Sequence, residues 1–163
     1  MKKLLLPLLA LLLLMNCNKT NISNCCNGNP QVTAIDSSVI AVPDIFTPNS
    51  DGINDIMYVL TRNISALTFT ITKRSGKKVF ESTSISTGWD GTVKGKFSKE
   101  KEYKFTLTAT TVNGKTLSLE GDLCLIRDNC AKGSVSECFF ATQFNGTTFD
   151  RNIPNLENIK VCK

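Results

Sequence analysis

An all-β fold, an immunoglobulin-like antiparallel β-sandwich, is what this sequence predicts, and three observations carry the prediction. Apolar residues alternate with threonine and charged residues at period two through the middle of the chain. Dipeptides with the chemistry of tight turns separate those stretches, as Ser75-Gly76 and Asn113-Gly114 do. No segment beyond residue 38 offers a comparable case for a helix.

Residues 1–16 stand apart. Lys2 and Lys3 precede an unbroken apolar run from Leu4 to Met15, the charged head and short apolar body of a secretory signal. The run is shorter than the ~20 apolar residues a membrane-spanning helix requires, and the polar NKTNISN after Cys17 does not extend it. Leu14-Met15-Asn16-Cys17 resembles a lipobox, although Asn16 occupies a place usually held by Gly, Ala or Ser. The expectation is a cleaved lipoprotein signal over 1–16, with acyl groups such as palmitate on Cys17 holding the chain to a membrane; two or three acyl chains anchor stably where one does not.

Setting Cys17 aside leaves Cys25, Cys26, Cys124, Cys130, Cys138 and Cys162, an even number in an exported chain, and predicts three disulfides. A bridge between the adjacent Cys25 and Cys26 would be strained, so at least one of them is expected to reach the carboxyl-terminal cysteines. The chain contains no histidine and no CxxC pair, which argues against zinc.

Residues 17–38, rich in Asn, Ser, Thr and Gly, read as a polar tether fixed by Cys25 and Cys26. The sandwich is expected over 39–127, with strands at 39–46, 56–60, 67–74, 77–81, 103–112, 115–119 and 123–126. Leu67, Phe69, Ile71, Val79, Phe80, Tyr103, Phe105, Leu107 and Leu125 are its core candidates. Residues 128–163 lose the alternation and read as an irregular, disulfide-stapled extension packed on the sandwich. Net charge is +5, falling to +3 once Lys2 and Lys3 leave with the signal, and the basic residues are scattered along the sequence. Together with an exported location this excludes nucleic acid as the expected partner.

Four features invite functional readings. Asn49, Asp51, Asn54 and Asp55 gather side-chain oxygens around Gly52, as calcium loops do, but Tyr58 stands where an EF-hand needs glutamate. An Asx-rich turn is the simpler reading and Ca²⁺ the alternative; no other cofactor is expected. Trp89, beside Asp90-Gly91, either covers one end of the core or is presented to a glycan. Phe139, Phe140, Phe144 and Phe149 either form a satellite apolar cluster or a surface for a partner. The Asn-x-Ser/Thr triplets at Asn18, Asn21, Asn63 and Asn145 read as polar sequence. Catalysis finds no foothold: there is no histidine to serve a nucleophile and no G-x-S-x-G elbow.

Residues 42–55, VPDIFTPNSDGIND, followed by Lys78-Val79-Phe80-Glu81, Trp89-Asp90-Gly91-Thr92 with Gly95, and Arg127, resemble the gliding motility-associated C-terminal domain of Bacteroidota over about residues 42–127. The resemblance implies an immunoglobulin-like sandwich and, in most members, a sorting signal read by the type IX secretion system at the outer membrane. Arg74-Ser75-Gly76 and residues 97–103 depart from the family's turns, and here 36 residues follow Arg127. The functional expectation is therefore a non-catalytic outer-membrane lipoprotein, an accessory or interaction subunit of an outer-membrane β-barrel complex for secretion, assembly or uptake. The alternatives are a type IX cell-surface cargo or adhesin and a glycan- or calcium-binding module. Periplasmic face and cell surface are both open.

Overall fold

The computed structural model describes residues 21–127, 130, 131 and 133–161. The signal 1–16, Cys17, Asn18 and Cys162 lie outside the described residues. In chain order the strands are β1 (Val32–Ile35), β2 (Ser38–Ala41), β3 (Ile45–Phe46), β4 (Leu60–Arg62), β5 (Ile64–Lys73), β6 (Lys78–Ser82), β7 (Thr92–Val93), β8 (Lys96–Phe97), β9 (Lys101–Thr111), β10 (Thr116–Leu125), β11 (Cys130–Ala131) and β12 (Lys160–Val161). Single turns of 3-10 helix occur at Val135–Glu137 and Ala141–Gln143.

A three-stranded sheet in the order β1-β2-β4 faces a five-stranded sheet in the order β3-β10-β9-β5-β6. This is the immunoglobulin-like sandwich, all-β and antiparallel apart from β3, which runs parallel to the end of β10. The period-two pattern has its expected cause. Along β9, Tyr103, Phe105, Leu107, Ala109 and Thr111 are buried while the residues between Lys104 and Thr110 alternate outward. Leu67, Phe69 and Ile71 of the neighbouring strand β5 lie beside them on the same face, and Ile40, Val42, Phe46, Met57 and Trp89 complete the core. Of the core candidates, Val79 and Phe80 are only partly buried, because β6 is the edge of its sheet.

Four sequence boundaries are corrected. The stretch 39–46 is two strands in different sheets: the chain crosses between them at Val42-Pro43-Asp44, where Pro43 has no N–H to continue a ladder. Strands 115–119 and 123–126 are one, β10, because Gly121 makes no turn. It lies flat opposite Phe105, and a Cβ there would come within 3.0 Å of the Phe105 ring and collide with the Gln31 amide. Within 56–60 only Leu60 belongs to a strand, Met57 instead forming an isolated bridge to Trp89.

The fourth correction concerns the tether 17–38. Its part from Asn21 onward is built into the domain: β1 pairs with β2 through a turn at Asp36, and Ile22, Cys25 and Cys26 are buried. Cys25 is bridged to Cys124 on β10 and Cys26 to Cys138 in the extension. Two neighbouring cysteines in one turn thus fasten two different segments. The third predicted bridge needs Cys162, outside the described residues. Around the two bridges a second apolar cluster forms from Ile22, Ile45, Ile126 and Phe140. The extension supplies a third, in which Phe139 and Phe149 cover Ala41 on the outer side of β2. Burial on both faces explains why β2, Ser-Val-Ile-Ala, shows no alternation.

Candidate functional site

The loop after β3 is held by its own side chains. The Asp55 carboxylate accepts the Ser50 N–H at 2.7 Å and the Gly52 N–H at 2.8 Å. Asn49 Oδ1 accepts the Asp51 N–H at 3.0 Å, and Asp51 Oδ1 the Ile53 N–H at 2.8 Å. Gly52 sits at φ 88°, as such a turn requires. The oxygens of Asn49, Asp51 and Asp55 are thus engaged with backbone amides, and among the described residues no group of three or more acidic or cysteine side chains is placed to hold a metal ion. Asn54 points the other way, donating to Glu157 Oε1 at 3.3 Å, an oxygen that also accepts from the Thr47 hydroxyl. Burial raises the Glu157 pKa above the usual carboxylate value, and the Asp51 and Asp55 charges add to that.

Trp89 is 1% exposed. Its ring packs on Phe46 and Tyr103, with centroids at 5.4 and 5.0 Å, and its Nε1–H donates to the Thr92 carbonyl at 2.8 Å. The indole is a core element and presents no face to a glycan. Asp90 Oδ1 accepts the Thr92 N–H at 2.8 Å and turns the chain into β7. Gly91, at φ 77°, lies against Arg127, whose Nη2 would be 2.8 Å from any Cβ placed there. Arg127 donates to the carbonyls of Gly91 at 2.9 Å and Ser98 at 2.6 Å, so the end of β10 braces the β7–β8 hairpin.

The phenylalanines of the extension pack inward. Phe139, Phe140 and Phe149 are buried and Phe144 is partly buried, packed in the clusters described above. Asp44, at the crossing between the sheets, is fully buried and joins three segments. Its carboxylate accepts from Gln31 Nε2 at 2.8 Å and from the Phe139 N–H at 3.0 Å. Its own N–H donates to the Phe139 carbonyl at 2.9 Å, and its carbonyl accepts the Cys124 N–H at 2.8 Å. Burial pushes its pKa up from 3.8 to about 7, more than these hydrogen bonds and the Arg151 charge pull it down.

Lysines scattered in the sequence converge in space. Lys73, Lys77 and Lys78 from the β5–β6 hairpin face Lys96, Lys99 and Lys101 across a groove of about 200 Å³ floored by Val79, Val93 and Tyr103. Lys78 pairs with Glu81 at 2.8 Å, whose pKa this lowers; among the described residues none of the other five lysines forms an ion pair. Phe97, on the rim, is 77% exposed, with the Arg127 guanidinium 4.6 Å from its ring centre. The groove is legible only from the fold, since β6 ends at Ser82 and β8 begins at Lys96; the sequence signal is the Lys-Gly-Lys-Phe-Ser-Lys-Glu-Lys run at 94–101.

Compared with known families, residues 40–121, from β2 into β10, match the CHU_C Type IX secretion signal domain. The chain belongs to that family. The secretion signal domain thus accounts for most of the sandwich, including the Asx turn, the Trp89 turn and the lysine groove, whereas β1, Cys25, Cys26 and the extension lie outside the matched residues. Membership ties the protein to type IX secretion and to the cell envelope or surface. Among solved structures, the PKD1 domain of Vibrio anguillarum Epp is similar at 14% identity, covering 61% of this chain and 92% of that one with a TM-score of 0.28. No curated protein matches significantly. None of the described helices is long and apolar enough to cross a membrane.

Proposed function

We propose that this chain is a non-catalytic, lipid-anchored protein of the cell surface, delivered by the type IX system, whose sandwich is the signal that the secretion machinery reads. The observation carrying this reading is the family match across residues 40–121, which takes in most of the two-sheet core. The anchor is supported by the apolar run ending at Cys17 and by cysteine parity: Cys25, Cys26, Cys124 and Cys138 are engaged in pairs, and Cys130 and Cys162 remain for each other.

A second reading, an accessory subunit of an outer-membrane β-barrel complex, is favoured by one specific feature. The signal domain is followed by an extension locked across it by Cys26–Cys138, by Asp44 and by Glu157. One experiment separates the two. An epitope-tagged full-length chain is expressed in cells with and without a working type IX system, and surface labelling is compared. The cargo reading expects labelling that disappears without the system. Labelling that is independent of the system, with co-purification of a barrel protein from mild detergent, would favour the subunit.

A further inference from the structure

We propose that the lysine groove and Phe97 form a docking site for phosphate-bearing lipid headgroups, laying this end of the sandwich on a membrane surface. The inference rests on the lipid-anchor reading for its geometry, and it is tested without the lipid.

The composition of the site points to an interface. Five lysines unpaired among the described residues surround one groove, and Glu100 is the single carboxylate in the 94–101 run that supplies three of them. Cations gathered this way repel one another until an anionic surface neutralises them. Phe97 is the other half of the argument. A large apolar ring left 77% exposed gains nothing in water, yet here it is held on the rim against Arg127. An aromatic ring flanked by cations is the arrangement that inserts at the boundary between headgroups and acyl chains. The lysines line the groove together with Val79 and Val93, and their long stems can direct the ammonium groups toward phosphates.

The path of the chain supplies the orientation. Asn24 Nδ2 donates to Glu102 Oε1 at 2.6 Å, and Glu102 pairs with Arg74 at 2.5 Å. Arg74 and Glu102 are the sequence neighbours of Lys73 and Lys101, which line the groove. The amino-terminal segment therefore enters the sandwich at the same end as the lysines. Six residues lie between Cys17 and Asn24, and the seven steps from one Cα to the other span at most about 25 Å. An acyl group on Cys17 would hold this end of the sandwich within that distance of the headgroups.

The test uses the mature chain with Cys17→Ser and intact disulfides, mixed with phosphatidylcholine vesicles with or without phosphatidylglycerol and followed by co-sedimentation. Binding is expected only with the anionic lipid and should weaken as salt rises. Each lysine near such a surface multiplies affinity about fivefold, so K96A/K99A/K101A should lose about a hundredfold. F97S should weaken vesicle binding several-fold; all these positions are on the surface, and an unchanged melting temperature shows that the variants fold. Equal binding to neutral vesicles, no loss in the lysine variant, or full competition by inorganic phosphate with F97S behaving as wild type would overturn the proposal, the last pointing to a soluble-phosphate site. Mass spectrometry of membrane-extracted protein tests the acyl group separately. A bare Cys17 would refute the anchor, while the vesicle result would still decide the groove.

Discussion

Replacing the two disulfides singly and together should give a loss of stability that is markedly more than additive. Cys25–Cys124 closes a loop of 99 residues and Cys26–Cys138 one of 112. Either bridge alone, formed in a chain without the other, restricts the unfolded ensemble by about 4.7 kcal/mol. The bridges interlace, however, their ends one residue apart on one side and 14 apart on the other. Once one is formed, the second closes a circuit of only ~15 residues, worth about 3 kcal/mol. Removing either pair by alanine substitution should therefore cost about 3 kcal/mol beyond the loss of sulfur packing, and removing both should cost about 8. The excess of about 2 kcal/mol over the sum is the quantity to measure, by urea unfolding of the three variants at one pH. The packing losses in the Ile22–Phe140 cluster enter both sides of the comparison. Strict additivity would refute the loop-closure reasoning and place the stabilisation in native-state contacts instead.

Three further predictions follow from particular groups. Asp44 is raised to about 7 in the folded state from 3.8, so between those values the folded chain keeps a proton that the unfolded chain releases. Stability from this group is complete below pH 4 and falls as pH rises to about 7, by at most roughly 4 kcal/mol; D44N should flatten that slope relative to wild type in urea unfolding across pH 4–8, and an unchanged slope would exclude Asp44 as its source. Asp55→Ala frees two backbone N–H groups and should cost about 2 kcal/mol, with a melting temperature in wild type that is the same in excess Ca²⁺ and in chelator; a rise with Ca²⁺ would favour the calcium reading. Trp89 should emit as a buried indole and resist iodide quenching, and W89A should cost about 4 kcal/mol; ready quenching would return the ring to a ligand-presenting role.

The sandwich was readable where one face of a strand meets solvent. On β9 and β5 the threonines and lysines announce the outer face, and the core residues there follow directly. Reading failed where both faces are covered. β2 carries Ile40 into the core and Ala41 beneath Phe139 and Phe149, so its sequence has no period to detect. β1 falls within the expected tether because its residues are at most partly buried, Ala34 being exposed, and gain their partners from β2. The gap between the expected strands 115–119 and 123–126 falls on Gly121, and a strand glycine and a turn glycine look alike until Phe105 and Gln31 are seen beside it. For the extension, four phenylalanines could equally face in or out. The choice is made by Asp44 and Cys26, residues about a hundred positions away. The lysine groove was hidden for the same reason: its two walls are brought together by the pairing of β5 with β6 and of β7 with β8, which charge counting along the chain does not see.

The adjacent cysteines also set how this domain would carry load. Tension applied at the amino terminus does not reach β1, the strand that hydrogen bonding alone would let peel from the sheet. It is diverted at Cys25 into β10, which lies between β3 and β9, and at Cys26 into the extension. Both routes are covalent, so the extensible length between an anchor and the folded body ends at residue 25. A partner that pulls on the sandwich would work against a sheet interior, and the domain behaves under traction as a rigid bead on a short leash.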